Sequence, residues 1–334
     1  MISRSVDYSY LNHYVPPVTE GVSQPWRQAL AHLGDYTTLV VRTTNLRPRE
    51  VIFYGQTEAH LLVRISTLSE HLILRIAPED DLTAYIFFMR CLNGQQLPGP
   101  QIIQRDLSRS LLPFAYTLET YVPGISAAEL TEPHLLRGVG RQAGRALRRM
   151  QRVTTPGMWR PNKHGRWPTM RWQATLARLG HTFAPPPTDS LVFSEAEQEA
   201  VARLLDDPRL TCEHPVLMHG NFGPGAVRCT SGPHVHLEAL VEPGACVGGD
   251  GLFDLATGLC ASYPAAWREG LLDGYCATMP LSEAEQIRLP RLRLLANYWL
   301  ASYRYSRALP HEAARDEARS LLETVAGMPN RQGA

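Results

Sequence analysis

The feature that most constrains this chain is a change of hydrophobic period part-way along it. In "TTLVVRTTNL" (37–46), "REVIFYG" (49–55), "HLLVRIST" (60–67) and "EHLILRIAP" (70–78), β-branched or alternating apolar runs are separated by short polar breaks. Alternation at period two places one face of a strand against a core, so these runs predict an antiparallel meander. "LTAYIFFMRCLNG" (82–94) reads as an apolar helix stopped at Asn-Gly, and "PFAYTLETYVPG" (113–124) as a further strand stopped at Pro-Gly. From about residue 125 the spacing becomes helical. In "EPHLLRGVGRQAGRALRRMQRV" (132–153), Leu136, Val139, Ala143, Ala146, Leu147 and Met150 share one face. Arg137, Arg141, Arg145, Arg148, Arg149 and Arg152 crowd the other, which reads as a solvated face.

A chain with both periods in separate stretches predicts an α+β fold: a small antiparallel β lobe, then a larger, mainly helical one. The expected divisions are an N-terminal arm (1–24), a sheet-and-helix lobe (25–120), a helical lobe (121–326) and a tail (327–334). Local punctuation supports this. "PWRQALAHLG" (25–34) runs from Pro to Gly as a short helix does, and "APPPTDS" (184–190) is a Pro-rich break. "SEAEQEAVARLLDD" (194–207) opens as a capped helix, "VRCT" with "HVHLEALVE" (234–242) suggests a hairpin, and 253–325 is helical.

Composition excludes several classes. With 33 basic and 32 acidic residues in 334, the net charge of +1 argues against nucleic-acid or anionic-membrane partners. No apolar run reaches the roughly 18 residues of a membrane span, and the start lacks the charged-then-apolar pattern of a signal peptide. The six cysteines form no CxxC pair, so they are expected to be reduced, in a cytoplasmic protein. No spacing supports a metal site at His234 and His236 with Cys229 or Cys246, and no Gly-x-Ser-x-Gly elbow marks a hydrolase.

Four segments carry a resemblance: "LILRIAPE" (72–79), "YTLETYVPG" (116–124), "HGNFGPGAV" (219–227) and "GGDGLFDLA" (248–256). In this order and spacing, over roughly residues 35–310, the chain resembles the aminoglycoside phosphotransferase and choline-kinase-like group. These are small-molecule kinases with a protein-kinase-like fold. The resemblance implies ATP and magnesium as cofactors, and a small-molecule ligand in the cleft between the lobes.

It also assigns roles, residue by residue. The catalytic-base position holds Asn221, an amide that cannot take a proton near neutral pH. The loop's magnesium-ligating amide is replaced by Ala226, which has no donor atom. The downstream metal acid falls on Glu242, within a metal-loop remnant at 240–256. His219 would orient the loop, and Asp254 and Asp250 would brace it. Arg75 stands where a cation pairs with phosphates, though it also reads as a strand arginine with its head in solvent. The helix acid that would steady it aligns with Tyr85. Gly55, in "YGQTEAHLLV" (54–63), would belong to a phosphate-covering loop. The hinge at Glu119 and Tyr121 would offer backbone groups to an adenine.

Three functional readings follow. The chain is a pseudokinase that binds a small molecule or protein partner, or runs a repurposed reaction. It is a working kinase with rearranged groups, Glu242 holding one magnesium with help from Glu238 or Asp250. Or it is a structural or interaction module.

Overall fold

The computed structural model describes residues 7–13, 23–183 and 191–327. The expected break at 184–190, the tail from 328 on and most of the N-terminal arm lie outside them. The chain divides into two units. One takes the described residues up to Arg90, Pro100–Val122 and Lys163–Gly165; the other takes Cys91–Gly99, Pro123–Asn162 and the described residues from Arg166 on.

The first unit contains α1 (Gln24–Ala31), α2 (Leu33–Thr43), β1 (Glu50–Gln56), β2 (Leu61–Ser66), β3 (His71–Ala77), most of α3 (Thr83–Gly94), β4 (Ile102–Asp106) and β5 (Ala115–Thr120). The strands form an antiparallel sheet in the order β1-β2-β3-β5-β4. Two threonine-closed turns connect the first three. Thr57 N–H donates to His60 O at 2.9 Å, and Thr67 N–H to Glu70 O at 2.8 Å. One sheet face presents Val63, Ile65, Leu72, Leu74 and Leu118 to a core shared with α1 and α2.

The expected strand at 37–46 is instead the body of α2. Leu33, Tyr36, Val40 and Val41 fall at helical spacing and are all buried, so the helix hides them together against the sheet core. The threonines cost little here. Thr37 and Thr38 donate their hydroxyls to Leu33 O and Gly34 O at 2.7 and 2.8 Å. Tertiary burial outweighs the β propensity of Thr and Val. Gly34 is likewise not a helix stop. It sits in the first turn of α2, where a Cβ would lie 2.0 Å from Tyr8 O.

The second unit contains β6 (Ile125–Ser126), α4 (Pro133–Met150), α5 (Trp172–Phe183), α6 (Glu195–Leu205), β7 (Val216–Leu217), β8 (Val227–Cys229), β9 (Leu237–Leu240), β10 (Gly248–Gly249), α7 (Leu252–Gly258), α8 (Ala265–Cys276), α9 (Glu283–Ser306) and α10 (Glu312–Ala326). The hairpin is present as β8 paired with β9, and β7 pairs with β10. Capping boxes open α6 at Ser194 and Glu197, and α9 at Ser282 and Glu285.

Helix α4 buries its expected apolar face. It packs closely on α8 through glycines: a Cβ on Gly144 would lie 2.2 Å from Leu271 O, and one on Gly274 2.0 Å from Arg141 O. The arginine face is not uniformly solvated. Arg137 and Arg141 reach Asp273 at 2.9 and 3.4 Å near the surface. Arg148 turns inward between Tyr275 Oη (2.8 Å) and Glu285 (3.0 Å), because the α4–α8 packing closes over it. None of the six cysteines forms a disulfide, and no described helix is long and apolar enough to cross a membrane.

Candidate functional site

The loop after β7 carries "HGN", and its shape is set by short strands too brief to form a sheet core. Pairing of β7 with β10 lays residues 218–226 beside residues 241–247. Met218 N–H donates to Val247 O at 3.1 Å, and Gly244 N–H to His219 O at 2.8 Å. Val241 N–H donates to Ala226 O at 2.9 Å. The His219 ring approaches Val241 O through Nε2 at 2.9 Å, which assigns the proton to Nε2 because a carbonyl only accepts.

Asp254, in the first turn of α7, holds this knot from beneath. Its carboxylate accepts His219 N–H at 2.5 Å and Gly220 N–H at 2.8 Å. Gly220 is required there. Its φ is +74°, and a Cβ would lie 2.2 Å from Cys246 O. Burial pushes the Asp254 carboxyl up to about 7, while the two amides pull the other way. Burial pushes the His219 imidazole down to about 4, so the ring is neutral.

Three assigned positions meet on this frame. Asn221 is exposed at the loop's turn; Ala226 is buried; Glu242 is half-buried, in a left-handed conformation with φ +54°. The bonds at Val241 and Gly244 flank Glu242 and tie its segment to both His219 and Ala226. A Cβ on Gly244 would lie 3.3 Å from Asn221 Cβ.

Asp250 does not join them. It is buried, pairs with Arg288 of α9 at 2.7 Å, and accepts Leu252 N–H at 3.1 Å. Burial raises its carboxyl, and Arg288 opposes the rise. A carboxylate held this way braces α7 against α9. Among the described residues no group of three or more His, Cys, Asp or Glu is placed to hold a metal ion. The donors at the loop are the Glu242 carboxylate and the Asn221 amide. They fit at most one magnesium carried largely by phosphates and water.

In the first unit Arg75 is not a solvent-facing strand arginine; it is 3% exposed. Glu119 on β5 takes its Nη2 at 2.9 Å and its Nε at 3.2 Å. Tyr85 donates its hydroxyl to the other Glu119 oxygen at 2.5 Å, and its ring lies 4.2 Å from the guanidinium. His60 Nδ1 lies 3.1 Å from Arg75 Nη1. The acid that steadies Arg75 thus comes from β5, not from a helix. The sequence carries only part of the signal, a lone Arg on β3 and a lone Glu on β5. The register Arg75↔Thr117 and Ile73↔Glu119 sets them diagonally on one face.

The hinge residues are also engaged. Tyr121 N–H donates to His71 O at 3.0 Å, and its ring meets Tyr54 edge-on at 5.7 Å between centroids. Gly55 lies at a bulge within β1 rather than in a loop, and only the turn 57–60 separates β1 from β2. The expected phosphate-covering loop over 54–63 is therefore a tight threonine-closed hairpin.

The family model described as "Phosphotransferase enzyme family" matches residues 55–289, more than two-thirds of the 334 residues. This chain belongs to that phosphotransferase family. Similar solved structures include a thermostable mutant of aminoglycoside phosphotransferase APH(4)-Ia in ternary complex with AMP-PNP and hygromycin B. It is 14% identical, covers 86% of this chain and 98% of its own, and has a TM-score of 0.63. The GDP and kanamycin complex of APH(2")-IIia is 13% identical over 88% and 98%, with a TM-score of 0.58. A microcompartment-associated aminopropanol kinase is 16% identical over 87% and 95%, with a TM-score of 0.57. At these identities the likeness shows the fold, an antiparallel-sheet unit with a helical unit. No curated protein matches the chain.

Proposed function

We propose that this protein is a catalytically degenerate member of the phosphotransferase family that binds a neutral small molecule at the 219–227 loop. The supporting observation is the knot itself. Asp254, His219 and Gly220 hold the loop with several hydrogen bonds, while the side chains set on it are an amide and a methyl. Loss of a general base commonly costs about 10²–10⁴ in rate. Replacement of a metal-ligating amide by alanine adds a second loss. Nucleotide binding, by analogy with the AMP-PNP and GDP complexes of the relatives, remains compatible with this reading.

A second reading keeps transfer activity, with Glu242 holding one magnesium. Its motive is the position of Glu242 between the bonds at Val241 and Gly244. One experiment separates the two: ATP consumption over a panel of hydroxylated small molecules, with and without magnesium. The first reading expects none above background. Magnesium-dependent turnover that Glu242→Ala abolishes would overturn it.

A further inference from the structure

Beside Asn221, within the second unit, lies a partly open cavity of about 40 Å³. Phe222 of the loop, Phe253 of α7 and Trp299 of α9 form its apolar walls, with Ala296 and Leu300 below. Among the described residues, no charged side chain lines it. A water needs about 10–15 Å³ of such space, so the cavity has room for roughly three waters or a short branched alkyl group.

Its polar groups are few. Thr257 is committed, donating its hydroxyl to Asp254 O at 3.0 Å. The Asn221 amide and the Tyr263 hydroxyl remain at the lining. Tyr263 reaches this place because the loop has a glycine there; a Cβ on Gly223 would lie 2.6 Å from the hydroxyl oxygen. Burial raises the Tyr263 pKa, so the hydroxyl stays protonated and can donate. One donor–acceptor amide and one phenol donor match a neutral oxygen. A protonated amine seated within the cavity would be desolvated, and no carboxylate lines it.

We propose that this cavity binds the alkyl part of a small neutral alcohol whose oxygen is held by Asn221 and Tyr263, and that it discriminates against the corresponding amine. This rests on the reading that the loop binds a small molecule, and it needs no nucleotide. Each buried methylene should contribute about fourfold in affinity.

The test uses the full chain labelled with 5-fluorotryptophan, with the Trp299 resonance assigned by Trp299→Phe. The probes are 3-methylbutan-1-ol and 3-methylbutan-1-amine, the same alkyl group with and without charge. The expected result is a saturable Trp299 shift with the alcohol, at roughly tenfold or greater preference over the amine. Ala296→Phe and the less buried Leu300→Phe both fill the space and should remove the shift. Asn221→Asp should reduce the alcohol preference by pairing with the ammonium. Equal binding of the two probes, no saturable shift with the alcohol, or binding that survives both filling variants in folded protein would overturn the proposal. No ATP is present, so a protein active as a kinase could still pass, and an inactive one could still fail.

Discussion

Arg75 in the first unit and Asp254 in the second are both buried charged side chains, yet they are held in opposite ways. Arg75 is met by other side chains: Glu119, Tyr85 and His60. Asp254 is met by backbone, through the N–H groups of His219 and Gly220. Side-chain partners can be exchanged together by substitution while the strands stay in place. Backbone partners cannot, because the loop's path depends on them. On the proposed reading, this is how the loop keeps its form with an amide at Asn221 and a methyl at Ala226. It also explains how the small unit retains a buried cation.

The largest expected effect tests the backbone half of that contrast. Asp254→Ala strands two buried N–H groups and should cost about 3–5 kcal/mol in urea unfolding. A loss below about 1 kcal/mol would mean the loop does not depend on this carboxylate. The side-chain half predicts a different pattern. Glu119→Gln leaves Arg75 buried without a counter-charge and should cost about 3 kcal/mol, whereas Arg75→Met with Glu119→Leu together should return most of the loss. A double variant as unstable as the single would show that the pair is not exchangeable.

Titration sharpens the same contrast. His219 is neutral in the fold, with its pKa moved by burial from 6.5 to about 4. Between those values the unfolded chain binds a proton that the folded chain does not. The residue's contribution to stability is therefore lost as pH falls through that window. Asp254 opposes it: its pKa rises from 3.8 to about 7, so its contribution is lost as pH rises. His219→Gln removes only the first contribution. Its stability deficit relative to wild type should shrink on the order of 3 kcal/mol between pH 6.5 and 4. A deficit independent of pH would show that His219 is not buried neutral. The smallest effect is expected at Asn221, which is exposed. Asn221→Ala should change stability by no more than about 0.5 kcal/mol, as thermal unfolding would show; a larger loss would make the residue structural.

Much of the fold was legible in the residues. The strands within 49–78, helix α3 and the apolar face of α4 follow from period alone, and Ser194 with Glu197 marks a helix start. Where local pattern and tertiary burial disagreed, pattern misled. Thr and Val at 37–41 favour a strand until Leu33, Tyr36, Val40 and Val41 find a common core. The site divides similarly. The order of His219, Asn221, Ala226, Glu242 and Asp254 is visible in the chain. The Arg75–Glu119 pair spans 44 positions and depends on strand register, which no local window contains. The diversion of Asp250 to Arg288 depends on α7 packing against α9. The cavity at Trp299 needs three separate segments to meet.

The most direct measurement of the central claim is magnesium-dependent ATP hydrolysis by wild type and by the double variant Asn221→Asp, Ala226→Asn. If the frame is intact and only its side chains have changed, the wild type is inactive and the double variant gains roughly 10²-fold or more over background. Wild-type hydrolysis already equal to that of the double variant would contradict the account.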